Sequence, residues 1–278
     1  MPIALSTLGL PGRPLAEVLD LAAEHGWQGL ELRCAPGEPV HPALDPGGRR
    51  AVRAACAAAG ITPLAVASYL GVAAPGPDRP LLAALAEHLR LAADLGAPYL
   101  RVFPRGGDGP VAGADRRAVR RLTAAAGQAA ALGVRILVET HDSHRGGRDL
   151  ARVLAQVGQP AVGALWDLLH TRLAGEKVRT TADSLAPYLG YVQVKDVADA
   201  HDLTPLALGA GCLPITDCLR TLPDGCWVSW EYEAPWHPAA APLPGLLGPA
   251  ADLLRSLRPA QPPPQRPSPP RELPGPPG

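Results

Sequence analysis

The sequence lacks an excess of charge of either sign. Its 278 residues contain 26 lysines and arginines against 26 aspartates and glutamates, and the formal net charge is +0. Proteins that bind nucleic-acid backbones or anionic membrane surfaces usually present an excess of basic residues. The balance therefore predicts a protein with no nucleic-acid partner, no membrane surface and no strongly acidic partner.

Long hydrophobic runs are missing as well. No stretch approaches the roughly 18 consecutive apolar residues that indicate a transmembrane helix. The N-terminal segment MPIALSTLGLPGRP has neither the basic start nor the apolar centre of a secretory signal peptide. We therefore expect no membrane span and no secretion.

Paired cysteines are also lacking. The chain has five cysteines, an odd number, and none of them forms a C-x-x-C pair. This usage favours reduced thiols in a cytoplasmic protein over a disulfide framework. The five are Cys34, Cys56, Cys212, Cys218 and Cys226.

What the sequence does contain is a regular alternation of short apolar runs and longer Ala/Leu-rich helical patterns. Eight such pairs in about 258 residues have the size and rhythm of a (β/α)8 TIM barrel. A doubly wound sheet would favour a G-x-G-x-x-G loop after the first strand, and the loop STLGLPGRP does not match it. The predicted strands are 3–8, 29–34, 62–70, 98–103, 135–140, 162–168, 191–197 and 226–233. The predicted helices are 14–25, 45–59, 79–95, 114–132, 147–157, 177–188, 214–222 and 239–257.

The last segment of the chain has a different composition. Residues 259–278, with the sequence PAQPPPQRPSPPRELPGPPG, carry almost no apolar bulk. Proline-rich sequence cannot supply a regular hydrogen-bonded element. We predict a single TIM-barrel domain over residues 1–258 followed by a disordered tail over 259–278.

Polar side chains mark the ends of several predicted strands. The active site of a TIM barrel lies at the carboxyl ends of its strands. Residues two apart on a strand face the same side, so Glu139 and His141 share one orientation, as do Gln193 and Lys195. The polar residues are Glu31 and Arg33 on the second run, Glu139 and His141 on the fifth, Asp167 and His170 on the sixth, Gln193 and Lys195 on the seventh, and Glu231 on the eighth.

A divalent metal ion explains why several acids converge at one rim. Unpaired carboxylates in a barrel interior are costly, so they require neutralisation. Glu139, Asp167 and Glu231 provide three carboxylates, and Gln193 adds an amide oxygen from the strand between them. This hard, oxygen-rich set suits Mn²⁺ or Mg²⁺ and can also hold Co²⁺ or Zn²⁺. An ordinary salt bridge or capping role is the alternative for each residue alone.

The segments GLELR, VETHDS, WDLLHT, VQVKD, LGAGCLP and SWEYEAPWHP, in this order, resemble the sugar phosphate isomerase/epimerase group of the xylose-isomerase-like TIM barrels. The resemblance covers residues 3 to about 257. It implies metal ligands at Glu139, Asp167, Gln193 and Glu231, with Gln193 at a position where the family usually has histidine. It also implies that Glu139 and Glu231 are the proton-transfer pair. Dimers and tetramers are common in this family, so the resemblance is compatible with a homo-oligomer.

Other polar residues have candidate roles around the substrate. Lys195, one of two lysines in the chain, can stabilise an enolate oxygen or act as a general acid, or can form a salt bridge to Glu231. His141 and His170 can bind substrate hydroxyls. Three further residues are candidate substrate contacts: Glu31, Arg33 and His237.

The resemblance implies proton movement next to a carbonyl of a sugar or polyol, through an enediolate. A dehydratase of a keto-polyol or cyclic keto acid begins with the same proton abstraction, so the sequence does not separate the two. A non-catalytic sugar-binding barrel is a third hypothesis, because Gln193 is a weaker ligand than histidine. A DNA-repair endonuclease of the same superfamily is disfavoured by the zero net charge and by the absence of histidine from the third, fourth and seventh strands.

Overall fold

The strands form a closed parallel barrel in chain order. The computed structural model describes residues 1–257, and within them each of eight strands pairs with its neighbours, β1 closing against β8. This confirms the predicted TIM barrel, whereas the predicted tail, 259–278, lies outside the described residues. The strands are β1 (Ile3–Ser6), β2 (Gly29–Arg33), β3 (Thr62–Gly71), β4 (Tyr99–Phe103), β5 (Arg135–Glu139), β6 (Val162–Asp167), β7 (Leu189–Val194) and β8 (Trp227–Trp230).

Helices connect the strands and cover the outside of the barrel. Two of them differ from the sequence prediction: a short helix, α6, follows β6 directly, and the last helix begins at Leu247, after a proline-containing 3₁₀ turn (Leu243–Leu246). The helices are α1 (Leu15–Glu24), α2 (Pro46–Ala58), α3 (Asp78–Leu95), α4 (Val111–Ala131), α5 (Gly147–Val157), α6 (Leu168–Leu173), α7 (Val178–Leu185), α8 (Ile215–Arg220) and α9 (Leu247–Ser256).

The apolar side chains divide between two cores. Outward-facing strand residues and the inner faces of the helices form one large continuous core between the barrel wall and the helical layer. A smaller core of six residues fills the inside of the barrel: Ala4, Leu64, Ala65, Leu137, Leu165 and Tyr191. Because this inner plug occupies only part of the barrel length, the residues nearer the carboxyl ends of the strands are free to be polar.

One long loop, 195–214, connects β7 to α8 and is held by a single buried carboxylate. The side chain of Asp196 accepts hydrogen bonds from the backbone N–H groups of Gly209 at 2.9 Å, Gly211 at 3.0 Å and Leu213 at 3.1 Å. A Cβ atom at Gly211 would lie 2.3 Å from the Asp196 carboxylate. The loop therefore needs glycine there so that its backbone can approach Asp196.

No helix within residues 1–257 combines the length and the hydrophobicity that a membrane span requires.

Candidate active site and metal centre

A layer of buried polar residues lies above the inner apolar plug, at the carboxyl ends of the strands. Strand pairing fixes its order, since Ser6 pairs with Glu31 and Asp167 with Gln193. Every member is at least 96% buried, so each charge is removed from bulk water. The layer contains Ser6, Glu31, Arg101, Glu139, Asp167, Gln193, Lys195, Ser229 and Glu231.

Glu139 ends β5 and faces the buried guanidinium of Arg101 from β4. Arg101 Nε lies 3.4 Å from Glu139 Oε2, and the Arg101 guanidinium lies over the Phe103 ring at 4.1 Å. Burial raises the pKa of Glu139 well above its usual value, and Arg101 offsets only part of that rise. Burial thus favours the protonated form of the Glu139 carboxyl group.

Lys195, directly after β7, lies among three carboxylates. Its Nζ is 2.9 Å from Asp167 Oδ2 and 2.5 Å from both Glu231 Oε2 and Glu233 Oε1. Burial opposes the charge on Lys195, but these carboxylates outweigh it and raise the lysine pKa well above its usual value. The lysine is therefore an ammonium group inside the layer, where it compensates part of the negative charge.

Glu231 follows β8 immediately and lies beside both Lys195 and Gln193. Burial raises the pKa of Glu231 to about 7, although the Lys195 ammonium favours its ionised form. Asp167 behaves differently: burial opposes its ionisation, but Lys195 and His170 hold its pKa below the usual value. The site thus combines a carboxylate that stays ionised with one that is poised near neutral pH.

Gln193 links two carboxylates across the barrel. Its Nε2 donates to Glu31 at 2.8 Å and to Glu231 Oε1 at 3.2 Å. Glu31 also accepts hydrogen bonds from Tyr191 at 2.6 Å and from Ser6 at 3.2 Å. Three neutral residues, Gln193, Tyr191 and Ser6, therefore satisfy Glu31 at the base of the site.

His141 and His170 lie next to each other on the other side of Glu139. Their ring centroids are 4.0 Å apart in an edge-to-face arrangement. His141 Nδ1 lies 2.9 Å from Asp142 Oδ1, and the backbone N–H of His170 donates to Asp167 Oδ1 at 3.0 Å. Asp167 is therefore both a member of the carboxylate group and the N-cap of α6.

Two of the predicted substrate contacts lie apart from the carboxylates. Arg33 pairs with Glu38 at 2.7 Å and with the Tyr69 hydroxyl at 2.9 Å, and it lies 5.5 Å from the centre of the Trp236 ring. His237 follows the 3₁₀ turn Ala234–Trp236. The His237 side chain makes no hydrogen bond to residues 1–257, and Arg33 and His237 are both half-buried and lie outside the buried layer.

Several residues in or beside the layer were given no role in the sequence analysis. Arg101, Tyr191 and Ser6 contact the predicted residues directly, and Glu233 contacts Lys195. For Arg101 a signal existed, because an arginine in the middle of the apolar run YLRVF needs a buried partner. Tyr191 and Ser6 gave no such signal, since both residue types are common in strands.

The carboxylates fit a divalent cation. One oxygen from each of Glu139, Asp167 and Glu231 lies within 4.8 Å of the others. Gln193 Oε1 is buried and has no hydrogen-bond partner among residues 1–257, whereas Glu139 Oε2 and Asp167 Oδ2 face only the cationic groups of Arg101 and Lys195. Buried oxygen atoms left unpartnered in this way are the donors that a hard metal ion uses.

The chain belongs to the xylose isomerase-like TIM barrel family, whose model matches residues 19–257. This confirms the resemblance seen in the sequence. No protein of curated function matches the chain in sequence.

Solved structures with the same fold include two enzymes and one zinc-binding protein. D-psicose 3-epimerase from Clostridium cellulolyticum H10 has a TM-score of 0.78 at 15% identity, covering 92% of this chain and 99% of that chain. The probable 3-DHS dehydratase AsbF from Bacillus anthracis has a TM-score of 0.75 at 16% identity, covering 92% and 99%. The IolI protein, solved with a bound zinc atom, has a TM-score of 0.76 at 16% identity, covering 92% and 96%. At these identities the similarity establishes the fold.

Proposed function

We propose that the protein is a metal-dependent isomerase or epimerase that moves a proton at a carbon next to a carbonyl of a sugar or polyol. The supporting observation is the pair Glu139 and Glu231, two buried carboxyl groups with raised pKa values and oxygens within 4.8 Å of each other. A group with a pKa near the working pH can both accept and return a proton. The pair suits an exchange of a proton between substrate and protein.

Each of the site residues predicted from the sequence has a definite task in this proposal. Glu139 or Glu231 removes the proton, and the other carboxyl group returns one. The Lys195 ammonium, held between Asp167 and Glu231, stabilises negative charge as it develops on a substrate oxygen. A divalent ion held by Glu139, Asp167, Glu231 and the Gln193 oxygen would polarise the substrate carbonyl. His141 and His170 bind substrate hydroxyl groups at the mouth, together with Arg33 and His237; Glu31 acts from below, through Gln193.

The test is exchange of substrate hydrogen for solvent deuterium, followed by NMR over a panel of ketoses, inososes and keto acids with Mn²⁺ present. Glu139→Gln and Glu231→Gln should each slow exchange by about 100-fold or more, because each removes a proton-transfer group without changing its shape. Asp115→Asn is the control, because Asp115 is a buried acid of α4 that pairs with His144 and Arg152 and with none of the proposed site residues. Exchange at the wild-type rate in both site variants would refute the assignment.

A dehydratase is the second candidate, and the position of Lys195 is what favours it. After the same proton abstraction, an ammonium group in contact with Glu231 can protonate a departing hydroxyl group. One of the solved structures with the same fold is a probable dehydratase, which is consistent with this chemistry. Loss of water from the substrate, seen as a new conjugated product by ultraviolet absorbance, distinguishes it from an isomerase, and binding without exchange would identify a sugar-binding protein.

A further inference from the structure

A serine, a histidine and an aspartate form a hydrogen-bonded chain between the β5–α5 loop and α4. Ser143 Oγ lies 2.9 Å from His144 Nδ1, and His144 Nε2 lies 2.8 Å from Asp115 Oδ1. His144 is 1% exposed and Asp115 is 8% exposed, whereas Ser143 is half-buried. The serine end of the chain is therefore accessible to a small molecule, while the two residues behind it are shielded from water.

The contacts of Asp115 decide where the protons of this chain lie. Burial opposes the charge on Asp115, but hydrogen bonds from Arg152 and His144 lower its pKa, so it is a carboxylate that only accepts hydrogen bonds. His144 Nε2 then carries the ring proton, and Nδ1 of the neutral ring accepts the hydroxyl proton of Ser143. This is the order of groups that activates a serine in acyl-transfer enzymes.

Ser143 lines a cavity of about 550 Å³, a volume typical of sites for small molecules. Two non-glycine residues within 1–257 have a left-handed backbone, Arg105 with φ of 53° and Asp142 with φ of 45°, and both line this cavity. Backbone strain of this kind concentrates at functional sites. The N–H of Gly106 donates to Ser143 Oγ at 2.8 Å, and a Cβ atom at Gly106 would lie 2.5 Å from that oxygen. The loop after β4 is thus shaped around the serine.

We propose that Ser143 and His144, positioned by Asp115, form a second active site that hydrolyses esters of short carboxylic acids. Ser143 Oγ bonds to the ester carbonyl carbon while its proton moves to His144 Nδ1. The bond to the alcohol oxygen then breaks, and the alcohol leaves with that proton. Water next attacks the acyl-serine and gives a proton to His144 Nδ1; the bond to Ser143 breaks, Oγ regains the proton, and the carboxylic acid leaves.

The lining of the cavity indicates an uncharged ester. Two arginines, Arg105 and Arg145, are matched by two aspartates, Asp108 and Asp142, so the cavity has no excess charge of either sign. The guanidinium N–H groups on its wall can stabilise the negative charge that develops on the carbonyl oxygen. The inference goes beyond the proposed function, because this reaction uses none of the carboxylates of the buried layer.

The experiment uses a fluorophosphonate probe, which reacts with activated serines, and p-nitrophenyl acetate as a small uncharged ester. Both are added to the full-length protein with a chelator present, because the proposed reaction needs no metal ion. Peptide mass spectrometry should find the probe on Ser143, and release of p-nitrophenol should exceed the rate in buffer. The ester assay is run in Cys212→Ser protein, since the exposed Cys212 thiol also reacts with this ester.

Ser143→Ala and His144→Gln should each abolish labelling and slow ester hydrolysis by about 100-fold or more. Ser184→Ala is the matched control and should change neither, because Ser184 is a half-buried serine of α7 that donates only to a backbone carbonyl. NMR of isotope-labelled histidine nitrogens tests the positioning role of Asp115. His144 should carry its proton on Nε2 in the wild-type protein and lose that preference in Asp115→Asn, which should also label more slowly.

Two results would overturn the proposal. One is the absence of probe from Ser143 in the folded wild-type protein, which requires no variant to fold. The other is ester hydrolysis at the same rate in Ser143→Ala as in Ser184→Ala. Deuterium exchange is scored separately with Mn²⁺ present. Labelling without exchange would therefore reject only the proposed function, and exchange without labelling would reject only this second active site.

Discussion

At the scale of single residues, the nitrogen and the oxygen of the Gln193 side-chain amide have different surroundings. Its amide nitrogen binds Glu31 and Glu231, whereas its oxygen is buried and has no partner among residues 1–257. If the amide were turned around, its oxygen would face two carboxylates and be repelled. The nitrogen contacts therefore fix the orientation, and the oxygen is left available to a cation.

Replacing Gln193 by histidine tests this position. An imidazole is a better ligand for Zn²⁺ than an amide oxygen, so Gln193→His should increase Zn²⁺ affinity, measured by competition with a chelator. It also removes the hydrogen bonds to Glu31 and should lower the free energy of unfolding of the metal-free protein by about 1–3 kcal/mol. Gln156→His on exposed helix surface is the control. Equal Zn²⁺ affinity in both variants would contradict a ligand role for residue 193.

The chemistry-bearing acids were readable from the sequence because a carboxylate at the end of an apolar run is unusual. Glu139, Asp167 and Glu231 all show this pattern, and the structure brings their oxygens together. The salt bridge of Lys195 to Glu231 was one of the sequence-based alternatives, whereas its contacts with Asp167 and Glu233 were not readable, since they depend on how the strand ends are spaced around the barrel. For the same reason the ion pair between Arg33 and Glu38 was not readable.

At the scale of elements, the strands were easier to predict than the helices that follow them. Strands buried on both faces are continuous apolar runs, and these are plain in the sequence. Helix α6 was missed because LLHTRL continues the apolar run of β6 without a break. Its start is set by the Asp167 side chain, which caps it through the His170 N–H, and that contact is invisible in composition. Gly96 and Gly158 directly follow α3 and α5 and have left-handed φ values of 78° and 59°, the conformation that commonly ends a helix.

The junction of β3, α3 and α4 depends on two neighbouring arginines of unequal burial. Arg121 is 2% exposed and donates to Asp78, at the start of α3, and to the carbonyl oxygens of Val72, Ala74 and Gly76. Arg120 also binds Asp78, but its side chain is 55% exposed. Arg121, and not Arg120, therefore satisfies the buried backbone carbonyl groups of the loop after β3.

Arg121→Met should lower the free energy of unfolding by about 3 kcal/mol, because it leaves buried carbonyl oxygens without donors. Arg120→Met is the matched control and should change stability far less, since exposed ion pairs contribute little. Chemical denaturation of both variants gives the comparison. Equal destabilisation would mean that the ion pair to Asp78, and not the loop carbonyls, carries the effect.

At the scale of the whole molecule, the reactivity of the cysteine thiols indicates how tightly the barrel and its helical layer are packed. Four cysteines are buried and Cys212 is exposed. Burial raises the pKa of Cys34 to about 12 and that of Cys226 to about 11, so these groups stay protonated and unreactive at pH 8. A thiolate is the reactive form of cysteine.

We therefore expect a disulfide reagent at pH 8 to modify one thiol rapidly in the native protein and five in denaturant. Cys212→Ser should remove the rapid reaction and leave four thiols that react only after unfolding. The count is read from the absorbance of the released reagent. Rapid reaction of any thiol in the folded Cys212→Ser protein would show that the helical layer opens on the time scale of the assay.

The Asp196 anchor has a consequence for how this barrel can diversify. It holds the loop after β7 through three backbone N–H groups. Two of these residues are restricted to glycine, Gly211 by its close approach to Asp196 and Gly209 by its φ of 86°, whereas Leu213 contributes only its backbone. Lys195, its neighbour in sequence, points instead to the carboxylates. Asp196 thus fixes the backbone of the loop at the rim of the barrel, while the adjacent Lys195 belongs to the buried site. Mutations can accumulate in the loop side chains, and new molecules can be accommodated there, while the reactive groups beneath keep their positions.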